Sequence, residues 1–574
     1  MSPLSLQLKE KLVKLFKLKG SEFSVFAPEQ SEFGDYSTNL AFVLAKQRQT
    51  SPFLLAEDLR KEIERSQLFS AWLEKVEVKN GYLNFFLKTE LLLKMLSGWQ
   101  EYLAGNKPSK NSKLVLIDYS SPNIGKPLSV AHIRSTIIGD TLARMYKFLG
   151  WRVIGDNHLG DWGMLAARLI AAYKKFSRKP LAQLSIDDML KLYVKFTSRE
   201  KETPELTELA KQEVIKLQKG DKENLKIWQR LKANSLKEFA KTYRILGILP
   251  FDYQYGESHY QSLADILVKD LLKKGAAKKS RGAVIIPLEK EGLPAMVIQK
   301  SDEAFLYATS DLGTIVFREK KFRPNLVLYV VANEQALHFE QLFRVAEKLR
   351  LAPKTRLTHV KFGMILGQDN KKLSTRRGKF VSLQTMITEA LQRAAKIARQ
   401  KNPKLSAKQL EQVAKVIGIG AIKYNGLCQN RNTDVVFDWE RMLSLEGNSA
   451  PYLLYTYARL KSILRKYQAQ SQASSESVRL DAKATLLSQP ERTLLVKLLQ
   501  FQEVVPKAAS EFLPNLISTY LFELGSLVNS FYEKYSVLKA EPTAQKQRLA
   551  LVSNAAATLK VGLELLGIPV AEKI

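Results

Sequence analysis

A chain of 574 residues with 45% hydrophobic and 25% charged residues is long enough for several packed domains and too apolar for a disordered polymer. Its 89 Lys and Arg against 57 Asp and Glu give a formal net charge of +32, the footprint of a phosphate-dense partner, with nucleic acid foremost. The single cysteine, Cys428, excludes an intrachain disulfide and a multi-cysteine zinc site, and fits a reducing, cytoplasmic setting.

In chain order, the first stretch (MSPLSLQLKEKLVKLFKLKG) reads as an amphipathic helix rather than a signal peptide. No apolar run reaches the roughly 18 residues that a membrane span needs. Residues 1–108 form a first unit, with helical patterns at 4–18 and 39–63 and a β-like stretch at 76–87. GNKPSKNSK (105–113) has the composition of a linker. The run LVLID (114–118) then reads as a buried strand, followed by a Pro/Gly loop, a helix at 132–148 and the strand WRVIGDNH. Such a βαβ unit takes its ligands at the carboxyl ends of the strands. A second set follows: strand 326–332, helix 335–349 and strand 359–366. Between the two sets lie a helical, Lys- and Glu-rich insertion at 177–249 and a hairpin around 290–293. From about residue 382 the pattern is almost wholly helical, broken by the polar run QAQSQASSES (468–477), and no internal repeat occurs.

The chain contains neither GxxxxGK[ST] nor GxGxxG, so a nucleotide must be held without the common glycine-rich cradles. The five histidines are scattered and form no zinc pattern, so no protein metal site is expected. One informative segment is SSPNIGKPLSVAHIRSTIIGD (120–140), between a strand end and a helix start. Backbone N–H groups there, with Lys126 and His132, suit anionic oxygens. The same residues also read as a plain helix start with Ser129 as its cap. The second segment is DNKKLSTRRGK (369–379), whose cations could stabilise charge on a departing pyrophosphate or simply form a solvated loop.

Together and in this order, the two segments resemble the HIGH and KMSKS signatures of class I aminoacyl-tRNA synthetases, and their surroundings resemble the arginyl-tRNA synthetase branch. The resemblance rests on the HIGH region (Pro122, Asn123, Ile124, Gly125, Lys126, Pro127, Leu128, Ser129, Val130, Ala131 and His132) and on NHLGDWG (157–163). It extends to LYATSDLGT (306–314), NEQALHFEQLF (333–343), KKLSTRRG (371–378) and DWERMLSLEGNSAPYLLYTYAR (438–459). With GDYSTNLAFVLAK (34–46) and GLELLGI (562–568) it covers essentially the whole chain.

What the resemblance implies is a Rossmann-type α/β catalytic core at 109–385, an N-terminal α+β tRNA-contacting domain at 1–108, and an all-α anticodon-binding domain at 386–574. The implied enzyme is an arginine–tRNA ligase that uses ATP with Mg2+, L-arginine and tRNA(Arg), acting as a monomer. Lys126, Ser129, His132, Lys372, Ser374 and Arg376 fall at ATP-binding or catalytic positions of the family. Asp118, Ser121, Asn123, Tyr307, Asp311 and Gln335 fall at arginine-pocket positions, and Tyr82, Asn84, Tyr452, Tyr455 and Tyr532 at tRNA-contacting ones. A carboxylate such as Asp311 can receive two parallel N–H bonds from a guanidinium, a fork that lysine cannot copy.

The chain departs from the pattern at Ser129, where the family has the first histidine of HIGH, at Ala131, where it has glycine, and in KLSTR for KMSKS. Lys126 is the residue placed to offset the altered signature. Two other readings compete: an inactive relative that keeps only RNA binding, and a small-molecule nucleotidyltransferase on the same core, which leaves both appended domains without a role.

Overall fold

The computed structural model describes residues 3–18, 22–28, 30–301, 307–371, 373, 375–376, 379–380, 382–471 and 487–574. They divide into two compact units, one formed by residues 1–106, 444–565 and 569–574, the other by residues 107–443 and 566–568.

In the second unit, the described residues include a four-stranded parallel sheet. Its strands are β1 (Leu114–Asp118), β2 (Arg152–Asp156), β3 (Leu326–Tyr329) and β4 (Arg356–His359), in the spatial order β4-β3-β1-β2. Every residue of β1 and of β3 is buried, which is why both read as unbroken apolar runs rather than alternating ones. Helix α1 (Ala131–Phe148) links β1 to β2. Helix α2 (Glu257–Lys273) follows the insertion, and α3 (Tyr307–Phe322) and α4 (Ala336–Lys348) flank β3 in sequence. Leu116, Val327 and Tyr329 of the sheet pack with Leu312 and Ile315 of α3 and with Phe339 and Leu342 of α4 in one hydrophobic cluster. Because the order reverses between β1 and β3, the sheet has a switch point there, the place at which open α/β sheets form their binding crevice, outside the carboxyl ends of those strands.

The insertion folds into three helices, Ile186–Glu200, Pro204–Gln218 and Lys222–Leu246, with Ser185 capping the first in a reciprocal capping box. The hairpin at 290–293 joins Ala283–Ile286 to Met296–Gln299 in a three-stranded antiparallel sheet. The strand expected at 359–366 divides. Its first residue ends β4, while Ile365–Leu366 pairs in parallel with Val435–Val436. Val360 N still donates to the Tyr329 carbonyl of β3 at 2.9 Å, but Gly363 donates to the Arg431 carbonyl at 2.9 Å and Met364 to Asp434 Oδ1 at 2.7 Å, so from Gly363 on the partners lie outside the main sheet. An apolar run reports burial and is silent on which backbone it pairs with.

Helices α5 (Leu383–Lys401) and α6 (Ala407–Leu427) belong to this unit. Lys423 of α6 is fully buried 3.5 Å from Asp140 of α1 and donates to the Gly567 carbonyl at 2.8 Å, which ties residues 566–568 to α1. Burial lowers its pKa to about 8 against the pull of Asp140.

The other unit joins the two chain ends. Its antiparallel sheet has the order Val25–Phe26, Tyr36–Thr38, Tyr82–Leu87, Leu73–Lys79. Asn80 and Gly81, both at positive φ, make the tight turn between the last two in sequence. The helix expected at 39–63 breaks into Leu40–Arg48 and Pro52–Arg65, because Gln49 turns left-handed and Pro52 lacks the N–H a continuing helix requires. Arg492, on the helix Gln489–Leu499, donates to Asp35 Oδ2 at 2.6 Å and to the Leu87 carbonyl at 2.8 Å, and Trp99 Nε1 donates to Thr558 Oγ1 at 2.9 Å. The N-terminal sheet region and the C-terminal helices therefore pack as one body.

Candidate active site

The carboxyl ends of β1 and β2 each finish on an aspartate, and the register sets Asp118 beside Asp156. Arg318 of α3 lies buried between them, donating through Nη2 to Asp118 Oδ2 at 2.6 Å and to Asp156 Oδ2 at 2.8 Å. Burial opposes the arginine's charge, but the two carboxylates overcome it and hold its pKa well above the usual value. For Asp156 burial wins and the pKa is raised despite Arg318. Asp118, expected to line the amino-acid pocket, thus holds a guanidinium from its own chain, and its Oδ1 accepts from Ser121 Oγ at 3.0 Å.

Just beyond β1 the chain is strained. Ser120 and Ser121 adopt φ of 73° and 45°, a region that residues with a Cβ seldom occupy. Four bonds besides that from Ser121 Oγ to Asp118 hold them there. Ser120 N donates to Ser135 Oγ at 2.9 Å, Ser121 N donates to Asn157 Oδ1 at 3.1 Å, and Ser120 Oγ meets Tyr243 Oη at 2.7 Å and Thr136 Oγ1 at 2.9 Å. The loop then runs alongside 157–163, with Ile124 N donating to the Gly160 carbonyl at 3.1 Å. A Cβ on Gly160 would lie 1.8 Å from Asn123 Oδ1. Asn123 is exposed and can swing away, so Gly160→Ala should cost less than about 1 kcal/mol of stability while re-aiming Asn123. If Asn123 binds arginine, the KM for arginine rises about tenfold; steady-state kinetics beside a denaturation curve checks both halves.

At the start of α1, Ser129 is buried and both its backbone N and its Oγ lie against His132 Nδ1, at 3.1 and 2.8 Å. Burial, reinforced by the Lys126 charge, lowers the His132 pKa to about 4. The Lys126 ammonium sits 4.0 Å above the Tyr193 ring of the insertion, and no carboxylate pairs with it among the described residues. Ala131 is exposed at the helix start.

Across the crevice, Asp311 of α3 accepts from His338 Nε2 of α4 at 2.7 Å and is about a quarter exposed. Gln335, in the short turn Asn333–Gln335 before α4, is exposed. In the sequence His338 is one of five scattered histidines, and nothing singles out Glu257. Glu257 opens α2, and burial, with the Asp311 and Asp161 charges added, pushes its carboxyl up to about 8. Asp161 anchors that helix end: it accepts from Ser258 N at 3.0 Å, from Ser258 Oγ at 2.8 Å and from Lys232 Nζ at 2.6 Å. A glutamate in the first helical turn ordinarily serves the helix dipole, which masks any other duty in the sequence.

Lys372 and Ser374 lie outside the described residues, as do the side chains of Tyr307 and Arg376, whose backbones belong to α3 and to the strand Thr375–Arg376. Among the described residues no group of three or more His, Cys, Asp or Glu could hold a metal ion, and no helix is long and apolar enough to cross a membrane.

In the other unit, Tyr82 is exposed, with Phe26 at 6.2 Å and Phe42 at 4.9 Å between ring centres. Asn84 is buried and accepts from Ser37 Oγ. Tyr452 and Tyr455 stand on the helix Ala450–Ser471 and the exposed Tyr532 on Asn515–Lys534. The Tyr452 hydroxyl accepts from Asn529 at 2.9 Å, whereas the buried Tyr455 hydroxyl meets no partner among the described residues.

Three family models match the chain. They are the catalytic domain of class I tRNA synthetases (R) over residues 95–439, the DALR anticodon binding domain over 453–574, and the arginyl tRNA synthetase N terminal domain over 3–87. An arginine–tRNA ligase of Fusobacterium nucleatum is 37% identical over 564 residues, 97% of this chain and 96% of that protein. One from Lactococcus lactis is 39% identical over 95% of each. The crystal structure of arginyl-tRNA synthetase from Plasmodium falciparum and the structure of the Thermus thermophilus enzyme each superpose with a TM-score of 0.82 at 26% identity, covering both chains fully. With domain models, full-length relatives and crevice all in agreement, the chain belongs to the arginyl-tRNA synthetase family of class I.

Proposed function

We propose that the crevice at the ends of β1 and β3 is where this class I synthetase activates L-arginine with ATP before charging tRNA(Arg). The observation that carries the assignment is Asp311, a quarter exposed on α3, with Glu257 at the start of α2, whose carboxyl is raised first by burial and then by the Asp311 charge. Two acids in that position are complementary to a planar cation with several donors.

In this reading the guanidinium lies against Asp311 and Glu257, with Tyr307 nearby, while Ser121, Asn123 and Gln335 orient the amino-acid end. Asp118 acts through Ser121 rather than on the substrate. Arginine's carboxylate attacks the α-phosphorus of ATP and pyrophosphate leaves. The 3′-terminal ribose hydroxyl of tRNA then attacks the activated carbonyl and AMP leaves. The protein supplies alignment and charge compensation, with the N-terminus of α1, His132 and Lys126 around the phosphates. Magnesium would arrive on the ATP phosphates and would neutralise their charge. Tyr82 with its neighbouring rings, together with Tyr452, Tyr455 and Tyr532, would contact the tRNA, aromatic faces being suited to unstacked bases. The reading places the enzyme in the cytoplasm as a monomer.

The test is arginine-dependent ATP–pyrophosphate exchange, with and without tRNA that accepts arginine and with lysine as control. Exchange with arginine and not lysine is expected, and Lys126→Ala should slow it at least tenfold while changing tRNA binding less than twofold. Absence of exchange in the presence of tRNA, with salt-sensitive tRNA binding intact, would point instead to a relative that only binds RNA.

A further inference from the structure

The serine standing where the family carries the first histidine of its signature has a particular geometry. A backbone N–H can only donate, and that of Ser129 is directed at His132 Nδ1 from 3.1 Å. Nδ1 therefore carries a lone pair and no hydrogen, which means the Ser129 hydroxyl 2.8 Å away also acts as donor. The single ring hydrogen of neutral His132 is left on Nε2, for which no partner exists among the described residues. We infer that Ser129 is a positioning residue: it locks His132 in the Nε2–H tautomer, so that the ring offers the ATP phosphates a donor rather than a lone pair.

Three further observations support this. First, the contact is supported by the backbone, since His132 N donates to the Ser129 carbonyl at 3.0 Å and so fixes the spacing of the two residues. Second, Ser129 is itself held from outside the motif. It forms a bridge with Ser382, and Leu383 N at the start of α5 donates to the Leu128 carbonyl at 2.8 Å. Third, burial and the Lys126 charge keep the ring neutral at physiological pH, so its role depends on which nitrogen holds the hydrogen rather than on a positive charge. An imidazole with Nδ1–H would turn a lone pair toward phosphate oxygens and repel them. Serine thus contributes indirectly: its short hydroxyl never needs to reach the nucleotide.

The inference rests on the synthetase reading for its consequence, and the experiment separates the two. Full-length protein labelled with 15N-histidine, His132 being assigned through His132→Gln, is read at neutral pH without ligands by long-range 1H–15N correlation. A pyridine-type shift at Nδ1 and a pyrrole-type shift at Nε2 are expected whether or not the enzyme is active; the reverse pattern overturns the proposal. In ATP–pyrophosphate exchange, Ser129→Ala should lower kcat about tenfold, leave the KM for arginine within twofold, and shift the His132 Nδ1 resonance as one donor is lost. Ser129→Thr, which keeps the hydroxyl, should recover kcat to within threefold. Equal losses in the two variants, or no loss in Ser129→Ala, would show that the hydroxyl does not orient the ring.

Discussion

Glu257→Gln is expected to raise the KM for arginine at least 100-fold and, in the same protein, to raise the melting temperature. Both effects come from one group. In the free enzyme, burial and the charges of Asp311 and Asp161 hold the Glu257 pKa at about 8, so near neutrality the side chain is largely a neutral acid. A guanidinium entering beside it favours the carboxylate, and binding therefore expels a proton. Removing one partner of a desolvated charged pair costs about 2–5 kcal/mol, which sets the scale of the KM change. The sign for stability follows from linkage. The folded pKa lies above the ordinary carboxylate value, so the group's favourable contribution is complete below about 4.5 and is lost as pH rises through 8. Glutamine has no proton to lose. At pH 8 the variant should gain about 1–2 kcal/mol, after allowing for the partial exposure of Glu257, or a few degrees.

The same proton makes a pH signature. Below pH 8 the KM for arginine should rise, by up to tenfold per unit as pH falls, and level off above it. That slope should vanish in Glu257→Gln. Isothermal titration of arginine in buffers of different ionisation enthalpy would count the released proton directly. A wild-type KM flat between pH 6 and 8.5 would remove Glu257 from the pocket.

Arg318→Met should be the most damaging single change to the catalytic unit, costing about 3–5 kcal/mol. The guanidinium is buried and bonded to Asp118 and Asp156, the last residues of two adjacent strands. Without it two carboxylates face each other in a site closed to water, and Asp118 loses the partner that orients it toward Ser121. Arg318→Lys should recover part of the loss: a single nitrogen, Nη2, makes both bonds and an ammonium can also donate twice, but the shorter lysine side chain stops short of that position. The decisive variant is Arg318→Met with Asp118→Asn and Asp156→Asn: with the uncompensated charges gone, stability should return to within about 1–2 kcal/mol of wild type. Activity should return only in part, since an amide at position 118 accepts from Ser121 more weakly than the carboxylate and is no longer fixed by Arg318. Chemical denaturation of the three proteins decides the matter, and a loss below 1 kcal/mol for Arg318→Met alone would mean water reaches the pair.

Some of this was readable from residue order alone. Period and punctuation located β1, α1 and β2 to within a residue or two, because fully buried parallel strands and a long helix leave strong one-dimensional signals. The same reasoning ran two helices together at 39–63 and extended β4 to residue 366. In the first case a left-handed Gln49 carries no composition signal, and in the second the pairing partner lies some 70 residues away. The Asn80-Gly81 turn was a local signal available to be read.

What the sequence determined by itself was the family, and with it the reaction and the order of the domains, because motif residues at fixed separations along a whole chain cannot agree by chance. Charge also pointed to a nucleic-acid partner before any fold was known. Only tertiary structure decided which acid already holds a cation from the chain itself. The family pattern puts Asp118 and Asp311 alike in the amino-acid pocket, but Arg318 comes from 200 residues away to occupy Asp118, whereas Asp311 meets His338, stays a quarter exposed and acts on the pKa of the unremarked Glu257. Likewise, the altered signature looked like a loss until the fold set the Ser129 N–H against a ring nitrogen. The physical reason is the same in each case: the protonation and hydrogen-bonding state of a side chain is a property of its neighbours in space, and those neighbours are brought together by strand register and helix packing.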